Sequence, residues 1–244
     1  MDSGYYAAMT GLLARNQALD TTAANLANAQ TPGYRAERDF FRSVLVGPDA
    51  LASQLGRTIN NYGLLGGDAL NLAQGALQET GNSLDLALEG SGFFAVQTAQ
   101  GVRYTRDGSF HRSAKGVLVT GGDESVLSST AQPIAMPPGE VSVGADGTIS
   151  VAGGAVASVG VFAFSPNAAL VPEGANRYVA PAGEKPQSGT ATVHQGALEA
   201  SNQDLVQGTL ELIMMQRQAE MMQKALTIFH TDFNKFATED LPRV

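Results

Sequence analysis

His111, His194 and His230 are the only histidines in 244 residues, and cysteine is absent. None of the three lies within five residues of another, and neither HExxH nor a related ligand spacing occurs. Side chains that normally hold zinc are therefore not grouped, and hydrogen-bonded or solvent-facing histidine is the expected role. Gly90-Ser91-Gly92 and Gly144-Ala145-Asp146-Gly147 lack the GK[ST] of a phosphate loop and open no predicted helix, which makes them turns. Asp146-Gly147 also lacks the repeated oxygen ligands of a calcium loop. There is no GxSxG, and Asp123-Glu124 falls in a turn where water solvates both carboxylates. Without cysteine, disulfides and thiolate nucleophiles are excluded together. No catalytic residue, cofactor or metal site is expected.

Polar residues of another kind stand out. Asn25 and Asn28 are three apart and share a helical face, placed either to cap and turn the chain locally or to reach a neighbouring subunit. Arg35, Arg38 and Arg42 recur at steps of three and four, as a solvated face or as a basic patch for an acidic neighbour. The cluster Met214, Met215, Met221 and Met222 reads as core, with the adaptability of methionine suiting non-equivalent neighbours.

The elements that position these residues differ between the ends and the middle. Tyr5, Met9, Leu12, Asn16, Leu19, Ala23 and Leu26 alternate steps of four and three, which predicts a helix from about Ser3 to Asn28 with one apolar seam. Thr31-Pro32-Gly33 ends it. At the other end Leu205, Gly208, Leu212, Met215, Ala219, Met222, Leu226, Phe229, Phe233 and Phe236 keep the same spacing in a longer helix. Ser201-Asn202 offers a candidate N-cap and Pro242 follows its expected end. Ile213, Met214, Met221 and Ile228 widen that apolar face, so the helix wants more than one neighbour.

Between the helices the period drops to two and Gly, Pro, Asp and Ser punctuate short apolar runs. Strands are expected at 92–98, 103–106, 109–111, 117–120, 141–143, 148–151 and 156–164, with hairpin turns at Ala114-Lys115-Gly116 and Ala145-Asp146-Gly147. Residues 48–77 and 172–189 lack a clean period and read as connectors. The expected fold is α+β. Residues 1–30 plus 201–244 form a helical assembly domain whose helices pair like a coiled coil, 31–79 plus 186–200 connect, and 80–185 form a central β-rich domain.

Charged residues make up 16% and apolar ones 43%, in periodic patterns that a folded chain requires. A net charge of -8 leaves no broad footprint for a phosphate backbone, so nucleic acid is not an expected partner. The longest apolar stretch, Ala155 to Phe164, is broken by Ser158 and Gly160 and falls short of the ~20 residues that span a bilayer. Membrane insertion is not expected. Met1 to Tyr6 has neither the basic nor the apolar region of a cleaved signal peptide.

The run Ala24-Asn25-Leu26-Ala27-Asn28-Ala29-Gln30-Thr31-Pro32-Gly33-Tyr34 resembles the signature of the flagellar basal-body rod and hook family. Leu84 to Phe94, Tyr104 to Phe110, Gln195 to Asn202 and Gln216 to Glu220 are similar to its central and C-terminal segments. Met1-Asp2, the short length and Tyr34-Arg35-Ala36-Glu37 followed by Phe40-Phe41-Arg42 resemble its proximal-rod branch, with the distal-rod branch second. Ala24, Gly208, Ala219 and Gly122-Asp123 depart from the family pattern. The resemblance implies a self-assembling rod subunit without enzymatic activity. It implies copies of the chain, neighbouring rod proteins and the flagellar type III export apparatus as partners, and a periplasmic rod reached without a cleaved signal peptide. The expected assembly interface comprises Tyr5, Met9, Leu12, Leu19, Asn25, Leu26, Asn28, Leu205, Leu212, Met215, Ala219, Met222, Leu226, Phe229, Phe233 and Phe236. The competing reading is a β-rich adhesin-like binding module on a short coiled-coil stalk.

Overall fold

The computed structural model describes residues 2–42, 64–165 and 168–239, which divide into two compact units. The first contains the terminal helices, α1 (Asp2–Ala27) and α2 (Leu205–Glu239), which contact one another, and strand β1 (Glu37–Arg42). β1 pairs with β2 (Leu64–Leu70) in a two-stranded sheet. Both helices match the expected spans closely. The connector expected from residue 48 therefore ends in a strand, while 48–63 and Pro242 lie outside the described residues.

The start of α2 is capped by Asp204 rather than by Ser201 or Asn202: its Oδ1 accepts from the Gln207 amide at 2.8 Å. This is the ordinary N-cap bond to the third helical residue. The Gln207 side chain donates onward to Glu211 one turn later, at 2.8 Å.

The second unit, residues 28–36 and 70–203, is the β body. Its strands begin with β3 (Leu77–Glu79), β4 (Leu86–Glu89), β5 (Phe93–Thr98), β6 (Gly101–Thr105), β7 (Phe110–Arg112), β8 (Leu118–Thr120) and β9 (Ser125–Val126). Then come β10 (Val141–Val143), β11 (Thr148–Val151), β12 (Gly154–Ser158), β13 (Val161–Ala163), β14 (Val171–Gly174), β15 (Arg177–Val179), β16 (Gln187–Ser188), β17 (Thr192–Gln195) and β18 (Ala197–Glu199). The main sheet runs β14-β15-β6-β5-β9-β8-β7, with β13 bridging β5 and β16. β10, β11 and β12 form a separate antiparallel meander, and β4 with β17 and β3 with β18 form two short ribbons.

β5 organises the body because both of its faces are buried. Phe94 and Val96 join Leu86, Leu88, Phe110 and Ile149 in one core, while Phe93 and Ala95 join Tyr104, Leu127 and Tyr178 in another. Alternation along a strand sends successive side chains to opposite faces, so one six-residue run seeds two cores. Edge-to-face aromatic contacts finish each: Phe94 on Phe110 at 5.1 Å in the first, Phe93 on Tyr178 at 5.8 Å in the second.

One expected strand, 156–164, is two. The chain pairs with β11 as β12, breaks at Val159-Gly160, and pairs with β5 as β13. The break has a steric cause, since a Cβ on Gly160 would lie 2.7 Å from the Ser128 carbonyl oxygen. The stretch 172–189, read as a connector, carries the β14–β15 hairpin and β16.

Candidate assembly site

The residues expected at the interface fall on α1, on α2 and in the turn that follows α1. On α2 the half-buried residues are Glu211, Leu212, Met215, Gln218, Met222 and Leu226, flanking the buried Gly208 and Ala219. These follow the 3/4 spacing of the C-terminal seam. A second apolar stripe faces solvent: Val206 is 70% exposed, Leu210 59%, Met214 59%, Met221 62% and Ile228 59%, with Leu205 and Ile213 also exposed. The methionine cluster is thus divided between faces, with Met215 and Met222 inward and Met214 and Met221 outward. Phe229, Phe233 and Phe236 fall within α2, but their side chains, like that of Tyr5 in α1, lie outside the described residues.

On α1 burial follows small residues. Gly11, Ala14, Ala18 and Asn25 are buried, Leu12, Leu19, Leu26 and Asn28 half-buried, and Met9 exposed. Asn25 works locally. Its Nδ2 donates to the Glu37 carbonyl at 2.7 Å and its Oδ1 accepts from the Glu37 amide at 2.9 Å, fixing the end of α1 to the start of β1. Asn28 accepts from the Thr31 hydroxyl at 3.2 Å in the turn that follows.

That turn belongs to the second unit and depends on Gly33. Its φ is +68°, and a Cβ there would stand 2.3 Å from the Arg106 backbone carbon. Only glycine meets both conditions without strain. The Gly33 amide donates to the Glu199 carbonyl at 2.7 Å. Two residues on, Arg35 is buried in an ionic cluster: its Nη2 lies 2.8 Å from one Glu199 oxygen, and Arg106 Nη1 lies 2.9 Å from the other. Glu199 also accepts from the Gly75 amide at 2.9 Å. Arg106 donates to the Leu88 and Gly90 carbonyls at 3.3 and 2.5 Å and lies over the Phe93 ring at 5.3 Å. The Glu199 side chain is fully buried.

Burial lowers the basicity of both guanidiniums against the support of Glu199, and for Arg106 the nearby Arg35 adds to that effect. Two cations on one anion leave a net positive cluster. Nε of each arginine is buried without a hydrogen bond. Of the arginine series, Arg35 therefore meets its acidic neighbour inside the chain, while Arg38 is exposed on β1.

Above this cluster the segments at the edge of the β body are tied together. The Asn71 amide donates to the Ala36 carbonyl at 2.8 Å, the Ala36 amide donates to Asn202 Oδ1 at 2.8 Å, and Asn202 Nδ2 donates to the carbonyls of Asn71 and Ala73 at 2.7 and 2.8 Å. Arg35 Nη1 donates to the same Ala73 carbonyl. Glu199 and Arg106 carry no expected role in the sequence reading, and Asn202, read there as a candidate N-cap, ties backbone segments together instead. The available signal was a single acid in the otherwise alternating run Gly196-Ala197-Leu198-Glu199-Ala200, at a position that alternation turns inward.

No enzymatic constellation accompanies these surfaces. His194 lies 2.7 Å from Glu89 and His111 lies 3.8 Å from Asp123, all four exposed, and no cluster that could hold a metal ion occurs among the described residues. Among them, no helix is long and apolar enough to cross a membrane.

Family models match the N-terminal end and the middle of the chain. Residues 6–35 match the model of the flagella basal body rod protein family, and residues 87–151 match that of the flagellar hook protein FlgE/F/G D1 domain. The flagellar basal-body rod protein FlgF of Caulobacter vibrioides is 34% identical over 93% of each chain. FlgF of Escherichia coli is 31% identical over 93% of this chain and 94% of its own, and the rod protein FlgG of Bacillus subtilis is 31% identical over 91% and 93%. These matches give the stalked adhesin reading no support. With a signature turn built on Gly33, a D1-type β body and full-length kinship to rod proteins, the chain belongs to the flagellar basal-body rod protein family.

Proposed function

We propose that this chain, a structural rod subunit and not an enzyme, assembles through its helical unit into a periplasmic shaft. The outward stripe of α2 carries the reading. Val206, Leu210, Ile213, Met221 and Ile228 recur at helical spacing on a face that the subunit leaves in water. An exposed apolar stripe of this kind, crossed only by Arg217 and Lys224, marks a surface completed by another helix. The inward seam of Leu212, Met215, Ala219, Met222 and Leu226 engages α1 in coiled-coil fashion, with Leu12, Leu19 and Leu26 beside it. Met9, Leu205 and the outward stripe meet copies of the chain or neighbouring rod proteins, and Tyr5, Phe229, Phe233 and Phe236 extend the contact towards the helix ends. Asn25 and Asn28 serve the interface by holding the end of α1. The assembly domain is centred on the helices of residues 1–30 and 201–244, and residues 28–36 with 70–203 form the β-rich domain. The flagellar type III export apparatus delivers the subunit.

Charging the outward stripe tests this. Leu210→Asp and Met221→Asp place a carboxylate where a partner helix would bury it, at a cost of several kcal/mol to the contact. Both sites are exposed in the subunit, so circular dichroism of the purified chains should be unchanged. Motility and completed rods should be lost in cells expressing either variant, whereas Gln216→Ala, exposed on the flank between the two faces, should swim. Normal swimming by the charged variants would show that the stripe is not an assembly surface.

A further inference from the structure

The chain passes between the two units at four points, 27/28, 36/37, 69/70 and 203/204. On the β-body side, Ala36 stands at one of the last three crossings and Asn71 and Asn202 one residue inside the other two, and these three are bonded to each other in a closed ring of hydrogen bonds. We propose that this ring, seated on the Arg35–Glu199–Arg106 cluster, is an assembly checkpoint: it forms only when the β body has closed, and until then the segments leading to β1, β2 and α2 do not share an origin.

The dependence follows from sequence separation. Arg35 and Glu199 are 164 positions apart and Arg106 and Glu199 are 93 apart. Charged side chains with 1%, 3% and no exposure cannot collect there ahead of the apolar layers that exclude water from them. Asn202 bonds only backbone groups, and its amide satisfies both directions at once: one acceptor for Ala36, two donors for Asn71 and Ala73. Alanine at this position deletes two bonds of the ring and the bond to the Ala73 carbonyl that Arg35 shares, which loosens Arg35, while Arg106 keeps its own bonds to Leu88 and Gly90. Any local opening that follows is confined to the crossings.

Trypsin reads the opening directly, because the ring covers the bond after Arg35, whereas Arg106 is buried in the β body. In Asn202→Ala, cleavage of the purified full-length chain after Arg35 should accelerate at least tenfold, with cleavage after Arg106 changed less than twofold. Ile149→Val, a core lesion in the separate β10–β11–β12 meander, should raise both cleavages together. In cells, Asn202→Ala should fail to complete rods while Ile149→Val, which loosens the core without touching the ring, should complete them. Equal acceleration after Arg35 and Arg106 in Asn202→Ala would overturn the proposal, as would normal rods despite selective opening at Arg35. The proteolysis arm is independent of the rod reading, so its failure is distinguishable from failure of the stripe variants.

Discussion

Two ion pairs of similar length show why burial, not distance, sets what a residue contributes. Arg103 and Glu173 pair through two hydrogen bonds, yet Glu173 is more than a third exposed, and water screens a solvated pair of this kind until it contributes little. Glu199 holds two arginines with no exposure at all. Removing its charge leaves two buried guanidiniums facing a neutral amide, and breaking a buried pair in this way costs about 3–5 kcal/mol. Glu199→Gln should accordingly lower the melting temperature of the chain by on the order of 10 °C, while Arg103→Ala should shift it by a few degrees at most. Thermal unfolding followed by circular dichroism checks both. Similar shifts for the two variants would mean that water reaches the Glu199 site.

At the scale of elements, both helices and six of the seven expected strands were legible, because each rests on a local period: four-and-three for α1 and α2, two for β5 or β11. The remaining run, 156–164, broke at Gly160 for a reason that lies in Ser128, thirty-two positions away. β14 and β15 escaped notice because Pro172, Glu173 and Gly174 interrupt any alternation, and the hairpin is joined to the sheet by the pairing of β15 with β6. The assembly surfaces were read from large apolar side chains, and α1 shows what that choice leaves out. Within the subunit it buries Gly11, Ala14 and Ala18, with Ala18 only 2% exposed, while Leu13 is 60% exposed. Small residues permit close approach of a neighbouring backbone, whereas size alone points to leucine. Ala18→Leu should therefore cost about 1–3 kcal/mol by overpacking, and Leu13→Ala close to nothing in the isolated subunit. Amide exchange over α1 in the full-length chain should show faster opening for the first and little change for the second.

For the whole molecule, the order of residues along the chain and the boundaries of the folded units differ, which decides what can fold alone. A piece covering residues 80–189 holds most of the main sheet, and its contiguous turns invite treating it as self-sufficient. It omits β17 and β18. β17 is the pairing partner of β4, with Val193 opposite Leu88, and Val193 lies in the same core as Leu86 and Phe94. The omission also strips Glu199 from Arg106, leaving that guanidinium buried without its anion. A piece covering 28–203 restores both, adds the Gly33 turn and Arg35, and keeps every residue of the β body. The longer piece should melt cooperatively with dispersed tyrosine signals from Tyr104 and Tyr178, which pack in the second core. The shorter should bind a hydrophobic dye and unfold without a sharp transition. Calorimetry on the two purified pieces separates the outcomes. A cooperative transition from 80–189 at the same temperature as 28–203 would show that β17 and the ionic cluster are additions to a core that stands without them.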